Sequence, residues 1–154
     1  MGARPSDNNI AKEKLIQDEL RLIVTADHKW AGKKHIHSEL LFEEPFIVRE
    51  PGSGTLKSIK KSLTEKGHVF ENLNVISEMG STAAIIQGIK SKVGISILST
   101  IAVAEELKAG TLKALAIKDL NLKRSFYLIE HQQRSASPLC RAFNKFLKKE
   151  FATK

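Results

Sequence analysis

The run Phe46-Ile47-Val48-Arg49-Glu50-Pro51-Gly52-Ser53-Gly54-Thr55 constrains this chain more than any other stretch. A short apolar segment rich in β-branched residues ends in a Pro/Gly turn. The turn delivers Ser53 and Thr55 to an amphipathic segment with Leu56, Ile59 and Leu63 at helical spacing. This pattern predicts strand, tight loop, helix N-terminus. The first turn of a helix carries unpaired N–H groups and the positive end of the macrodipole, which together favour an anion. Gly52 and Gly54 let that backbone approach a ligand, and two hydroxyls can add hydrogen bonds. For any single such loop, a well-capped helix after a turn is the commoner reading.

The arrangement recurs twice. Asn74 to Glu78 is a second strand candidate, followed by Gly80-Ser81-Thr82 and a helical run through Ile85, Ile86 and Ile89. Gly94 to Leu98 is a third, followed by Ser99-Thr100 and the pattern Ile101, Ala104, Leu107, closed by Gly110. Each helix is thus expected to begin at a Ser/Thr pair in the capping position. Strands alternating with helices imply an α/β fold with a parallel sheet, whose ligands sit beyond the carboxyl ends of the strands. All three hydroxyl-bearing loops belong at that edge. Their convergence favours a pocket for a small molecule or anion over capping alone.

Around these units, Asp18 to Thr25 reads as a strand with Leu20, Leu22 and Val24 on one face, after a loose polar N-terminal segment, residues 1–17. A connector follows, in which Trp30 covers an apolar surface. Ser38 to Glu44 reads as a short helix with Leu40 and Leu41 inward. Thr111 to Ile117 and Arg124 to Glu130 are further strands. Pro138 suits the first turn of a last helix carrying Leu139, Phe143, Phe146, Leu147 and Phe151 on one stripe.

A chain of 154 residues holds one domain, or a small domain plus part of another. Its apolar runs are too short to span a bilayer, and Met1 to Asn9 lack a signal-peptide core, so a cytoplasmic protein with no membrane partner is expected. The net charge of +8 could suggest nucleic acid. Yet Lys57, Lys60 and Lys61, like Lys145, Lys148 and Lys149, fit solvated helix faces. One Tyr and one Trp offer no stacking platform, and no helix-turn-helix pattern is evident. The charge can still steer an anionic ligand.

Catalytic signals are weak, and no cofactor is implied. His35 and His37 share one side of an extended segment without a Cys or carboxylate set to complete a metal site, while His28, His68 and His131 are scattered. Ser53 lies in Gly-Ser-Gly rather than in the Gly-x-Ser-x-Gly elbow of an esterase, and the loop lacks the Lys of a phosphate-binding P-loop. Cys140, the sole cysteine, fits a small core or half-buried residue better than a nucleophile. The sequence therefore contains no catalytic or metal constellation.

Taken in order, Glu19-Leu20-Arg21-Leu22-Ile23-Val24, Asp27-His28, Glu39-Leu40-Leu41, the run from Pro45 to Thr55, and Val93-Gly94-Ile95-Ser96-Ile97-Leu98-Ser99 resemble the effector-binding domain of LysR-type transcriptional regulators. Leu139 to Phe151 is similar to its closing helix. The resemblance runs from about Asp18 to Phe151, and the loop Glu50 to Thr55 is its most specific part. It implies the type 2 periplasmic-binding-protein-like fold: two α/β subdomains joined by two crossing strands, with a small, often anionic effector in the cleft. On that reading residues 18–37 are a crossing strand and connector. Residues 38–118 are one complete α/β subdomain. Residues 119–154 are the return strand and closing helix of a second subdomain that is only partly represented. The winged helix-turn-helix has no counterpart in this sequence, so DNA contact would require a domain outside it.

By resemblance, Gly52, Ser53, Gly54 and Thr55 match the loop that touches effector, Ser81 and Thr82 a second contact position, and Ser99 a third. The implied function is non-enzymatic effector sensing in a transcription regulator. A transporter solute-binding protein of the same fold is one alternative. A small α/β hydrolase-like enzyme using Ser53 or Cys140 is another. The apolar stripe of the last helix, lacking the rest of its subdomain, further predicts self-association, most simply as a homodimer, or folding back onto the complete subdomain.

Overall fold

The computed structural model describes residues 10–131 and 137–151. They form two compact units: Glu19–Lys123, and the described residues up to Asp18 together with those from Arg124 onward.

In the larger unit, β3 (Phe46–Arg49) and β4 (Val75–Met79) pair in parallel. β5 (Ser96–Ser99) runs the same way. Phe46 forms a parallel bridge to Ile95, and Ile47 N–H donates to Ile95 O at 2.8 Å. The second part of β1 (Ile10–Thr25) pairs antiparallel with β5 and with β6 (Leu112–Ile117), and the short β2 (His35–Ile36) adds in parallel to β6. The carboxyl ends of β3, β4 and β5 therefore share one edge.

Helices pack on both faces of these strands. Leu20, Leu22 and Val24 alternate onto one face and pack in a core with Leu56, Ile59 and Leu63 of α1 (Gly54–Glu65). Ile23 turns the other way, into a core with Ile85, Ile86 and Ile89 of α2 (Thr82–Lys90) and Val103 just before α3 (Ala104–Lys108). Trp30 is buried in the α1-side core, as expected of it. Gly94 permits a close approach between neighbouring segments: a Cβ there would lie 2.5 Å from the Pro45 carbonyl oxygen. That oxygen accepts the Ile95 N–H, so only glycine fits without displacing the bridge.

Two expected element boundaries are corrected. Residues 10–17, expected to be loose, are strand, because β7 (Lys123–His131) pairs with β1 and supplies partners that local charge patterning does not reveal. The short helix expected at Ser38 is present as a 3-10 helix, Ser38–Glu43, with Leu41 buried and Leu40 packed against the core. The third helix starts at Ala104 instead of after Ser99-Thr100. Ser99 is the last residue of β5, opposite Leu20, and its carbonyl accepts the Ala102 N–H in a turn. No side chain caps α3 at its Val103 N-cap.

The smaller unit holds α4 (Pro138–Phe151), which begins at Pro138 as the sequence predicts. No residue of α4 is fully buried; Leu139, Phe143 and Phe146 are exposed, while Leu147 and Phe151 are half-buried. Cys140 is exposed, against the expectation of a core or half-buried position, because it lies on this uncovered helix. Within the same unit Arg124 Nε donates to the fully buried Asp18 carboxylate at 2.7 Å.

Candidate functional site

The parallel strands carry three loops to one edge. Gly52 there adopts φ 93°, a left-handed turn that favours glycine, and the chain re-enters helix at Gly54. Ser53 is the N-cap of α1; its Oγ accepts the Thr55 N–H at 3.3 Å. Ser81 is the N-cap of α2, with its Oγ accepting the Ala84 N–H at 3.1 Å. Both hydroxyls thus satisfy helix-start donors, as Ser/Thr caps do. Ser81 is exposed, and Gly54, Thr55 and Thr82 are half-buried. Ser53 and Ser99 are buried. Of the three Ser/Thr pairs, two therefore present capped helix starts, and Ser99 belongs to the strand.

Arg49, at the end of β3, ties two of these loops together. Its Nε and Nη2 each donate to Glu50 at 2.7 Å, and its Nη1 donates to Thr82 Oγ1 at 2.9 Å. Hydrogen bonding to Glu50 raises the Arg49 pKa and lowers that of Glu50, so both stay charged at neutral pH. Arg49 lies in the run from Pro45 to Thr55 that carries the resemblance, but its side-chain bridge to Thr82 has no local signature.

Gly52 and Ser53 also line a groove of about 810 Å³ beside α1. Val48, Leu56 and Leu73 contribute apolar lining, and Lys57, Lys60 and Lys61 contribute charge. Gly54, Thr55, Ser81, Thr82 and Ser99 do not line it. The six lysines expected on solvated helix faces are all exposed.

Elsewhere, His37, Glu39 and Asp119 place possible ligand atoms within 4.8 Å of one another, a carboxylate set the sequence spacing does not show. Both Asp119 oxygens already accept from Ser38, N–H at 2.9 Å and Oγ at 2.5 Å, and Ser38 Oγ also meets His68 Nε2 at 2.7 Å. Exposed groups of this kind are common without a cation, and the cluster carries no metal assignment. The serine is fully buried and stands between the histidine and the carboxylate, whereas a hydrolase triad needs the histidine in the middle.

With this geometry in place, comparison with known proteins is specific. The LysR substrate binding domain family matches residues 1–152, and the chain belongs to that family. The RuBisCO operon transcriptional regulator of Acidithiobacillus ferrooxidans is 31% identical over 147 residues, covering 96% of this chain and 47% of the relative. The transcriptional activator CmpR of a Synechocystis strain is likewise 31% identical, with 96% and 47% covered. The chain thus spans about half the length of such relatives, which are transcriptional regulators. Among solved structures, the regulatory domain of Synechocystis CcmR in complex with 2-PG has a TM-score of 0.84 at 27% identity, covering 98% of this chain and 71% of that one. The effector binding domain of QuiR in complex with shikimate has a TM-score of 0.83 at 20% identity, with 99% and 70% covered, and shows the shared fold. The fold is the periplasmic-binding-protein-like α/β class expected from the sequence. No helix among the described residues is long and apolar enough to cross a membrane.

Proposed function

We propose that this chain is the effector-sensing part of a cytoplasmic LysR-type transcriptional regulator and holds a small anionic metabolite at the strand-end edge. The observation that carries the reading is the convergence of two serine-capped helix starts, Ser53–Thr55 and Ser81–Thr82, on the carboxyl ends of parallel strands. Gly52, Gly54 and Ser99 complete that edge. A carboxylate or phosphate there gains charge-assisted hydrogen bonds and about 0.3–2 kcal/mol from each helix dipole. The net charge of +8 favours the same ligand class, and the similarity to a CcmR domain that carries 2-PG supports it. DNA contact would fall to a helix-turn-helix domain outside this chain.

Calorimetric titration with 2-PG and with inorganic phosphate tests the reading. Replacing both Ser53 and Thr55 by Ala should weaken binding while the protein still melts cooperatively. Unchanged affinity removes this loop from the site.

Self-association as a homodimer belongs to the same proposal. Phe143 and Phe146 of α4 are 56% and 58% exposed, and burial of such side chains is worth about 1.5–3 kcal/mol each. Light scattering should show a dimer that Phe143→Asp with Phe146→Asp converts to monomer.

A further inference from the structure

Arg21 stands in β1 opposite Leu98 of β5. Because β1 runs antiparallel to β5, Arg21 lies near the carboxyl end of β5, at the edge that also carries Ser99. Alternation along β1 places it with Ile23, on the face covered by α2, whose first residue is Thr82. Its Nη2 donates to Glu19 Oε2 at 3.0 Å. Its Nε is buried and, among the described residues, is the one buried side-chain nitrogen or oxygen without a hydrogen-bond partner. Native structures seldom leave a buried charged donor unpaired, because the group has lost water and gained nothing. Arg49, the other arginine of this edge, has its Nε, Nη1 and Nη2 all engaged by protein oxygens.

We propose that Arg21 grips the anionic group of the effector, a carboxylate or phosphate, through side-on bonds from Nε–H and Nη2–H, and that the ligand displaces Glu19 from Nη2. The proposal rests on the functional reading above and names the residue that reads the ligand's charge. The guanidinium edge matches two oxygens of one planar or tetrahedral anion, whereas Glu19 satisfies only one of its two donors. The Arg21–Glu19 pair is reached by solvent, with side chains 37% and 38% exposed, so it binds weakly and yields to a bidentate competitor. Glu19 then acts as a threshold that neutral ligands do not overcome.

The test is calorimetric titration of the whole chain with inorganic phosphate and with 2-PG, alongside thermal melts. Arg21→Gln should lose about tenfold or more in affinity, the range expected for charged hydrogen bonds. Arg21→Lys keeps the charge and loses the fork, so it should bind more weakly than wild type. Glu19→Gln removes the competitor and should bind several-fold tighter. Should Arg21→Gln fail to fold, Arg21→Lys decides. Wild-type affinity in a folded Arg21→Gln or in Arg21→Lys overturns the assignment. Weaker binding by Glu19→Gln overturns the displacement. If the Ser53/Thr55 double variant still weakens binding in those cases, the functional reading stands without Arg21. A wild type that binds neither anion overturns both.

Discussion

Arg49 Nη1 donates to Thr82 Oγ1 at 2.9 Å, linking the end of β3 to the first residue of α2. The two loops that carry the capped helix starts are thereby tied by one guanidinium, itself held by Glu50. Thr82→Val keeps the shape and removes the acceptor. The variant should lose about 0.5–1.5 kcal/mol in urea denaturation. Ser81→Ala, one residue earlier, removes the α2 cap and should cost about 1 kcal/mol. Ser99→Ala should show no capping loss, because that hydroxyl is not an N-cap.

Asp119 makes stability depend on acid. Burial pushes its pKa up, but two hydrogen bonds from Ser38, with the charge of Lys66 nearby, outweigh this and the net shift is downward. A carboxylate lowered in the folded state stabilises above its unfolded pKa, about 3.9, and that contribution is lost as pH falls through the folded value. Asp119→Asn should therefore be less stable than wild type near pH 7, with the difference shrinking at about pH 3. Urea denaturation at both pH values checks this, and a difference that grows in acid would be the wrong sign.

Gly94 and Gly80 should respond very unequally to the same change. In Gly94→Ala the new Cβ meets the Pro45 carbonyl 2.5 Å away, backbone that must shift to make room. A loss of about 1–3 kcal/mol or more is expected. Around Gly80 nothing lies within 4 Å, so Gly80→Ala should stay within about 0.5 kcal/mol. Thermal melts of the two variants give the comparison directly.

What the sequence discloses is the local chemistry, and what it hides depends on partners distant in the chain. Period-two apolar residues at Leu20, Leu22 and Val24, and β-branched runs ending in Gly/Ser turns, locate the strands and the first two helix starts because those signals are contained in a few neighbouring residues. Residues 10–17 read as loose because Lys12, Glu13 and Lys14 mask a strand whose pairing comes from β7. Ser99-Thr100 imitates a cap, yet the ladder with Leu20 claims Ser99 for the sheet and moves the helix start to Ala104. Arg21 is one of several charged residues of β1, and nothing in its neighbours announces a buried Nε without a partner. Clustering of His37 and Glu39 with Asp119 likewise exists only once the turn after β6 is folded.

The Asp18–Arg124 pair should be the costliest ion pair to break. Asp18 is wholly buried and the Arg124 side chain is 12% exposed, with its guanidinium also 5.1 Å from the Phe126 ring. Asp18→Ala removes the carboxylate that accepts from Arg124 in a site that water scarcely reaches, at an expected cost of about 3–5 kcal/mol. Lys108–Glu105 is a useful contrast at 3.1 Å, since both side chains are largely in water and Glu105→Ala should cost no more than about 0.5 kcal/mol. A double variant, Asp18→Leu with Arg124→Met, should recover much of the loss because it removes both charges at once. Chemical denaturation of all three variants beside the wild type separates the alternatives. If Asp18→Ala and Glu105→Ala behave alike, the depth of burial at Asp18 is not what holds that pair.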